Sequence, residues 1–186
     1  MKTAKLLICA MALMGCVACD EGTEPSYTDE YGQQAYNDMK GTYEGNIMVN
    51  NLPQKLSVTI GNDFTVRPLP AAPMLERIFT AEGELDKALR SAQNITFKAP
   101  TDKMALTGVT SLLTMEPTDL QFSVTVDDKS YEVTALIESS VYVNLGTHEL
   151  SMNMDVVNLY CDGKSYDVKT NRINYFVDIA RKVATN

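Results

Sequence analysis

The sequence predicts a mainly β domain of about eight to ten strands, with one or two short helices inserted between the strands. Hydrophobic and polar residues alternate along most of the chain after Lys40, which is the period of a strand with one buried face. Turn-forming segments such as Asp127-Asp128-Lys129 and Cys161-Asp162-Gly163-Lys164 separate these stretches. A sheet of this size must protect its edges, so we expect an antiparallel barrel or a sandwich.

The clearest strands lie in the second half of the chain. Two alternating stretches flank the Asp127 turn and predict a hairpin, with buried-face residues at Leu120, Phe122, Val124, Val126, Tyr131, Val133, Ala135 and Ile137. A later strand changes phase where Val156 meets Val157, which predicts a β-bulge. The segment from Lys129 to Val133 resembles the one from Lys164 to Val168, so we expect two turns of similar geometry.

The first half predicts a further hairpin and the inserted helices. Tyr43, Ile47 and Val49 alternate before Asn50-Asn51, and Leu56, Val58 and Ile60 alternate after it. Two short stretches have helical spacing: one contains Met74, Leu75, Ile78 and Phe79, and the other contains Leu85, Ala88, Leu89 and Ala92. The last stretch, from Ile173 to Val183, fits a strand or a helix, and we expect a strand at its start.

Residues 1–19 have the order of an export signal. Lys2 and Lys5 precede an uncharged apolar run from Leu6 to Met14, which ends in small residues and cysteines. This run is shorter than the ~20 residues that a membrane-spanning helix needs. We therefore expect a signal peptide that is removed.

Two cysteines are candidates for lipidation in a bacterial lipoprotein signal. Cys16 has Leu13 three residues before it, while Cys19 has the small Ala18 directly before it. Either pattern fits, and we expect one of the two to be acylated. The acyl chains would hold the mature protein at a membrane.

Residues 20–39 are predicted to be an acidic flexible tether, and residues 40–186 a single β-rich domain. The tether segment has little periodic apolar surface to offset the entropy of ordering it. The alternative is a helix from Glu30 to Met39 that docks on the domain. Removing Lys2 and Lys5 from the 16 basic residues leaves 14 against 24 acidic ones, a net charge of −10. Such a surface repels nucleic acid and anionic lipid headgroups, so no nucleic-acid partner is expected.

The search for catalytic motifs gives mostly exclusions. His148 is the only histidine, which excludes a metal site built on two or more histidines, and it lies in a predicted solvated loop. No phosphate-binding glycine loop, dinucleotide fingerprint or calcium loop occurs, so no cofactor is expected. Cys161 is expected to be a small buried side chain rather than a disulfide partner of Cys19.

Acidic residues on predicted strands leave a carboxylate-dependent hydrolase as an enzymatic alternative. The candidates are Glu116, Asp119, Glu132, Glu138, Asp155 and Asp167. Any chain with 24 acidic residues permits such a pair, and the tryptophan that sugar-cleaving sites commonly use for stacking is absent. We therefore expect solvated strand faces and a protein that is not an enzyme.

One apolar cluster is a candidate for ligand binding. Met74, Leu75, Ile78 and Phe79 could line a ligand cavity at the mouth of a barrel, because methionine adapts to irregular ligands. Packing of the same helix against the sheet is the other interpretation.

The whole layout resembles the small uncharacterised lipoproteins of gut Bacteroidetes, which are domains of unknown function. The resemblance rests on the signal, the acidic tether with Asp20-Glu21-Gly22 after Cys19, and the segments Gly41-Thr42-Tyr43-Glu44-Gly45 and Cys161 to Asp167. The Gly41 segment is also similar to the first strand of lipocalin-like barrels. These resemblances imply a β domain that is lipid-anchored to the outer membrane of the cell envelope, and they carry over no functional residue.

The leading functional hypothesis is a non-enzymatic cell-envelope lipoprotein. Its partners would be the membrane, through the lipid anchor, and either a small apolar or amphipathic ligand or a cell-surface protein. A structural alternative is a pilus-like assembly subunit that donates the strand from Ile173 to Ile179.

Overall fold

The computed structural model describes residues 30–49, 52–92 and 94–183. In these residues the chain forms three helices, α1 (Glu30–Met39), α2 (Ala72–Ile78) and α3 (Glu82–Ser91). It also forms ten strands: β1 (Gly41–Val49), β2 (Leu52–Ile60), β3 (Asp63–Arg67), β4 (Phe97–Thr107), β5 (Thr110–Met115), β6 (Thr118–Val126), β7 (Lys129–Asn144), β8 (Glu149–Cys161), β9 (Lys164–Tyr166) and β10 (Ile173–Lys182).

Eight of these strands close into an antiparallel barrel, which is one of the two architectures predicted. The order around the barrel is β1, β2, β3, β4, β5, β7, β8 and β10, and β10 pairs back onto β1. The other two strands extend the sheet, because β6 pairs with the first half of β7 and β9 with the end of β8. Ser91 of α3 accepts a hydrogen bond from the Thr125 N–H of β6 at 2.9 Å, which shields that edge.

Both predicted turns are confirmed, and they share one geometry. Each is a two-residue connection whose central residues have positive φ, 50° and 62° at Asp127-Asp128 and 49° and 76° at Asp162-Gly163. These angles are those of type I′ turns, whose twist matches the flanking strands. After each turn a lysine ammonium lies over a tyrosine ring, at 4.3 Å for Lys129 and Tyr131 and 5.0 Å for Lys164 and Tyr166.

The predicted bulge and the last strand are also present. Leu136 of β7 lies opposite Asn158 and Ile137 lies opposite Val156, so Val157 is the extra residue of β8. The C-terminal segment is a strand along almost its whole length, because β10 pairs with β8 on one side and with β1 on the other. The helical alternative for this segment is wrong.

The tether prediction is wrong for the residues of α1. Gly32, Ala35, Tyr36 and Met39 lie at helical spacing and are buried, and the Tyr36 hydroxyl donates to the Gly61 carbonyl at 2.6 Å. The helix docks because this stripe covers apolar surface, although glycine and alanine make it inconspicuous in the sequence. The tether residues before Glu30 lie outside the described residues. None of the three described helices combines the length and apolar character needed to cross a membrane.

The core of the domain is the side-chain packing inside the barrel. Its largest fully buried members include Tyr43, Tyr175, Phe64 and Phe97. Tyr43 donates to the Met39 carbonyl at 2.7 Å, and Tyr175 donates to the Pro70 carbonyl at 2.8 Å. The barrel interior is therefore occupied by the protein's own side chains.

Candidate functional site

The four predicted ligand-cavity residues divide between the core and a surface depression. Met74 and Leu75 of α2 are fully buried in the core. Ile78 and Phe79 line a depression of about 310 Å³, where the Phe79 and Tyr131 rings meet edge to face with 5.3 Å between centroids. A ligand at these residues stays a prediction, and for Met74 and Leu75 the structure shows the packing interpretation.

The predicted environments of the single histidine and of the buried cysteine are confirmed. Cys161 is free and buried, and burial raises the pKa of its thiol. His148 is exposed in the loop between β7 and β8, with φ of 55°. Cys16 and Cys19, the lipidation candidates, lie outside the described residues.

The six candidate carboxylates are spread over several surfaces. Glu132 accepts a hydrogen bond from the Ser123 hydroxyl at 2.6 Å. Hydrogen bonds from the Thr170 side chain and from the backbone N–H groups of Lys169 and Thr170 lower the pKa of Asp167. Throughout the described part of the chain, no three histidine, cysteine, aspartate or glutamate residues are grouped so that they could hold a metal ion.

Two of the six carboxylates face each other on the outside of the barrel. Glu138 of β7 lies opposite Asp155 of β8, and Asp155 lies opposite Asn174 of β10. We call this surface the outer β7–β8–β10 face. It is defined by three neighbouring cross-strand rows: Glu138, Asp155 and Asn174; Ser140, Asn153 and Phe176; and Tyr142 with Ser151.

Hydrogen bonds order a polar cluster on the outer β7–β8–β10 face. The Asn174 amide nitrogen donates to Asn153 Oδ1 at 2.7 Å and to Asp155 Oδ1 at 2.9 Å. The Asn153 amide nitrogen donates to Asp155 Oδ2 at 3.1 Å. One oxygen of Asp155 is thus held by Asn153 of its own strand, β8, and the other by Asn174 of the neighbouring β10, which orients all three side chains before any ligand arrives.

Two aromatic side chains stand exposed on the same face. Phe176 lies opposite Asn153 and is 52% exposed, while Tyr142 lies opposite Ser151 and is 47% exposed. Large aromatic side chains usually bury far more of their surface in a monomer, and they are enriched at binding surfaces. The face therefore combines apolar rings with fixed polar groups.

A depression of about 410 Å³ adjoins one end of this face. Glu138 and Asp155 line it together with Lys169 and Arg172 from the segment that follows β9. The two carboxylates and the two cations balance in formal charge. This end of the face is therefore close to neutral in an otherwise acidic protein.

Another depression, of about 510 Å³, lies outside β1, β2 and β3. Glu44, Ser57 and Arg67 form one cross-strand row there, and Lys55 is beside them. Among the described residues, neither Lys55 nor Arg67 has an ion-pair partner. This site lacks the fixed side chains of the outer β7–β8–β10 face, so we rank it second.

The outer β7–β8–β10 face was not predicted from the sequence, because outward-facing residues of strands are expected to be solvated. The available signal was the aromatic residues in the outward phase, Tyr142 and Phe176, where a solvated strand would carry polar side chains. Which three strands are neighbours could not be read from that alternation, since β10 follows β8 only after β9 and a loop.

Comparison with known proteins gives a family. The family model "Domain of unknown function (DUF4840)" matches residues 38–161, about two thirds of the chain. No curated protein and no solved structure matches the chain. The match extends from the end of α1 to the end of β8, while β10, which closes the barrel, lies beyond it. The chain therefore belongs to the DUF4840 family of domains of unknown function, and its domain is an eight-stranded antiparallel barrel.

Proposed function

We propose that this protein is a non-enzymatic lipoprotein of the cell envelope that binds an amphipathic ligand, or a partner protein, on the outer β7–β8–β10 face. One observation carries the proposal: this face exposes Phe176 and Tyr142 beside a hydrogen-bonded cluster of Asn153, Asp155 and Asn174. Convergent polar groups next to apolar surface are the usual composition of a binding site.

Binding outside the barrel is favoured over binding inside it. A lipocalin-like ligand would need space within the barrel, whereas the inward residues of β1, β8 and β10 pack against one another and are buried. Native interiors are close-packed, so an internal ligand would have to displace side chains. The outer face needs no such rearrangement.

The anchor part of the proposal is supported by the chain's first residues. Lys2 and Lys5, the apolar run and the two cysteines have the order of a lipoprotein signal. The resemblance to lipoproteins of gut Bacteroidetes supports attachment to the outer membrane. In that setting the barrel would present its outer surface to ligands beside the membrane.

The two alternatives have less support. The strand-donor hypothesis for the segment from Ile173 to Ile179 is disfavoured, because Ile173 to Val177 pair with β8 of the same barrel and Ala180 to Lys182 pair with β1. A hydrolase would use Glu138 and Asp155. The amides that hold both oxygens of Asp155 suit a positioned binding group better than a nucleophile or a proton donor.

The proposal is tested by thermal shift with a panel of sugars, acyl lipids and peptides. We expect at least one class to stabilise the wild-type protein and to lose that effect in the double variant Phe176→Ala/Tyr142→Ala. Tyr160→Ala is the matched control, because Tyr160 is an exposed aromatic residue of β8 outside this face. Stabilisation that survives in the double variant, or no stabilising compound in any class, would contradict the proposal.

A further inference from the structure

We infer that the outer β7–β8–β10 face binds a neutral oligosaccharide, whose rings stack on Phe176 and Tyr142 and whose hydroxyl groups bind Asn153, Asp155 and Asn174. This inference rests on the proposed function and names the class of ligand. A sugar ring has apolar C–H faces and a rim of hydroxyl groups that both donate and accept hydrogen bonds. The face offers aromatic rings for the C–H faces of the sugar and polar side chains for its hydroxyl groups.

The polar cluster matches adjacent hydroxyl groups. Each oxygen of Asp155 accepts one amide hydrogen bond, which leaves further lone pairs for hydroxyl donors. Within the cluster, one amide hydrogen of Asn153 and the Oδ1 of Asn174 make no hydrogen bond. A hydroxyl group of the ligand can therefore accept from the first or donate to the second. Because the cluster is already ordered, binding costs little further side-chain entropy.

The two rings are spaced for a chain of sugars. Phe176 and Tyr142 lie on strands separated by β8 and in neighbouring rows. Strand spacing and rise place their Cα atoms ~12 Å apart. That separation is the span of a short oligosaccharide, with Ser140, Ser151 and Asn153 between the two stacking positions.

The charge around the face favours a neutral ligand. In the adjoining depression Glu138 and Asp155 are balanced by Lys169 and Arg172. An anionic glycan would meet the two carboxylates, and a cationic ligand would meet the two basic side chains. A neutral sugar avoids both repulsions and can still accept hydrogen bonds from the Lys169 and Arg172 side chains.

The same observations argue against two other occupants. An acyl chain has no groups to pair with Asn153, Asp155 and Asn174, and it would leave them without water. The centre of a protein interface is typically depleted of charged residues, whereas two of the residues that define this face, Glu138 and Asp155, are carboxylates. Binding of an acyl chain and binding of a protein are therefore tested as alternative outcomes of the experiment.

The experiment measures binding of neutral gluco-, manno-, galacto- and xylo-oligosaccharides of six units to the full chain, by titration calorimetry. A hexauronate, palmitate and a peptide array are tested in parallel. We expect one neutral series to bind, with affinity rising from two units to six. Phe176→Ala and Tyr142→Ala should each weaken binding about tenfold, and Asn174→Ala by at least as much. Tyr160→Ala should bind like the wild type.

Three results would overturn the inference. They are no binding of any neutral series, a preference for the hexauronate, and sugar binding that is unchanged in Phe176→Ala and Asn174→Ala while the variants melt like the wild type. Binding of palmitate or a peptide that depends on Phe176 would refute the sugar but keep the proposed function. If no compound of any class responds to changes on this face, both fail.

Discussion

At the scale of single residues, two buried tyrosines tie the barrel to the segments around it. The Tyr43 hydroxyl donates to α1 at Met39, and the Tyr175 hydroxyl donates to Pro70, just before α2. Burial raises the pKa of both phenols, that of Tyr43 to about 12 from 10.0. Each hydroxyl therefore favours the folded state only while it stays protonated.

The raised pKa values predict alkaline unfolding. Since ionisation is harder in the folded chain than in the unfolded one, the stability from neutral Tyr43 is fully present below pH 10. It is lost as the pH rises from 10 toward 12, by ~1.4 kcal/mol per pH unit for one group. Urea titrations at pH 9 to 12 should show this decline, with a shallower slope in Tyr43→Phe and an unchanged slope in the exposed control Tyr142→Phe. Equal slopes in all three proteins would refute the assignment.

A second prediction concerns two buried hydroxyl groups. Ser111 and Ser139 point into the barrel, and within the described residues neither Oγ has a hydrogen-bond partner. A buried hydroxyl without a partner is unfavourable, so Ser139→Ala should raise the free energy of unfolding by up to ~1 kcal/mol. The melting temperature should rise by ~2–4 °C.

The matched control is Ser91→Ala. Ser91 Oγ accepts from the Thr125 N–H and donates to the Ala88 carbonyl, so its loss should destabilise the domain by ~1 kcal/mol. If Ser139→Ala were as destabilising as Ser91→Ala, the Ser139 hydroxyl would have to be hydrogen-bonded inside the barrel.

At the scale of elements, closure of the barrel depends on the seam between β1 and β10. The pairing there is short, from Tyr43 with Lys182 to Gly45 with Ala180. A Cβ atom on Gly45 would lie 2.8 Å from the Ala180 Cβ and 2.9 Å from its Cα. Only glycine lets the two strands approach this closely at that point.

Gly45→Ala should therefore destabilise the domain by ~1–3 kcal/mol, because the backbone of β1 or β10 must move. Gly83→Ala is the control: a Cβ at Gly83 meets no atom within 4 Å, and alanine should stabilise α3 by ~0.5–1 kcal/mol. Hydrogen exchange should show faster exchange of the β1 and β10 amides in Gly45→Ala only. Unchanged exchange and stability would refute a tight seam.

Much of the element pattern could be predicted from local sequence, and the closure could not. The sequence alone predicts features that depend on neighbouring residues. These are the alternation of β6 and β7, the turn at Asp127-Asp128 and the bulge at Val157. The β1–β10 seam joins the two ends of the domain and depends on tertiary packing. Helix α1, from Glu30 to Met39, was predicted only as the alternative to a tether, because Gly32 and Ala35 contribute little to an apolar stripe. The outer β7–β8–β10 face was missed because it requires knowing which strands are neighbours.

At the scale of the whole molecule, we propose a protein that a lipid anchors near its N-terminus. Its barrel is filled by side chains and binds a ligand on its outer surface. The packed core stabilises the described domain, and the lipid would hold the protein at the membrane. Acyl chains contribute ~0.8 kcal/mol per buried methylene, so several chains on one cysteine would hold the protein firmly. The acidic domain itself has little attraction to anionic lipid headgroups.

The anchor leads to a prediction about fractionation. The wild-type protein should sediment with membranes, and Cys16→Ser/Cys19→Ser should move to the soluble fraction. The two single variants identify the acylated cysteine, and Cys161→Ser is the control because Cys161 is buried in the barrel. A double variant that stays in the membrane fraction, together with mass spectra that show no lipid, would refute the anchor.

The most direct test of the central claim, that binding occurs on the outside of the barrel, is amide chemical-shift mapping. The isotope-labelled protein would be titrated with the neutral oligosaccharide that binds best. We predict the largest shifts at Asn153, Asn174 and Phe176, and little change at inward positions such as Met154 and Val177. If the largest shifts fell on the inward residues, or on the depression beside Lys55, the account would be contradicted.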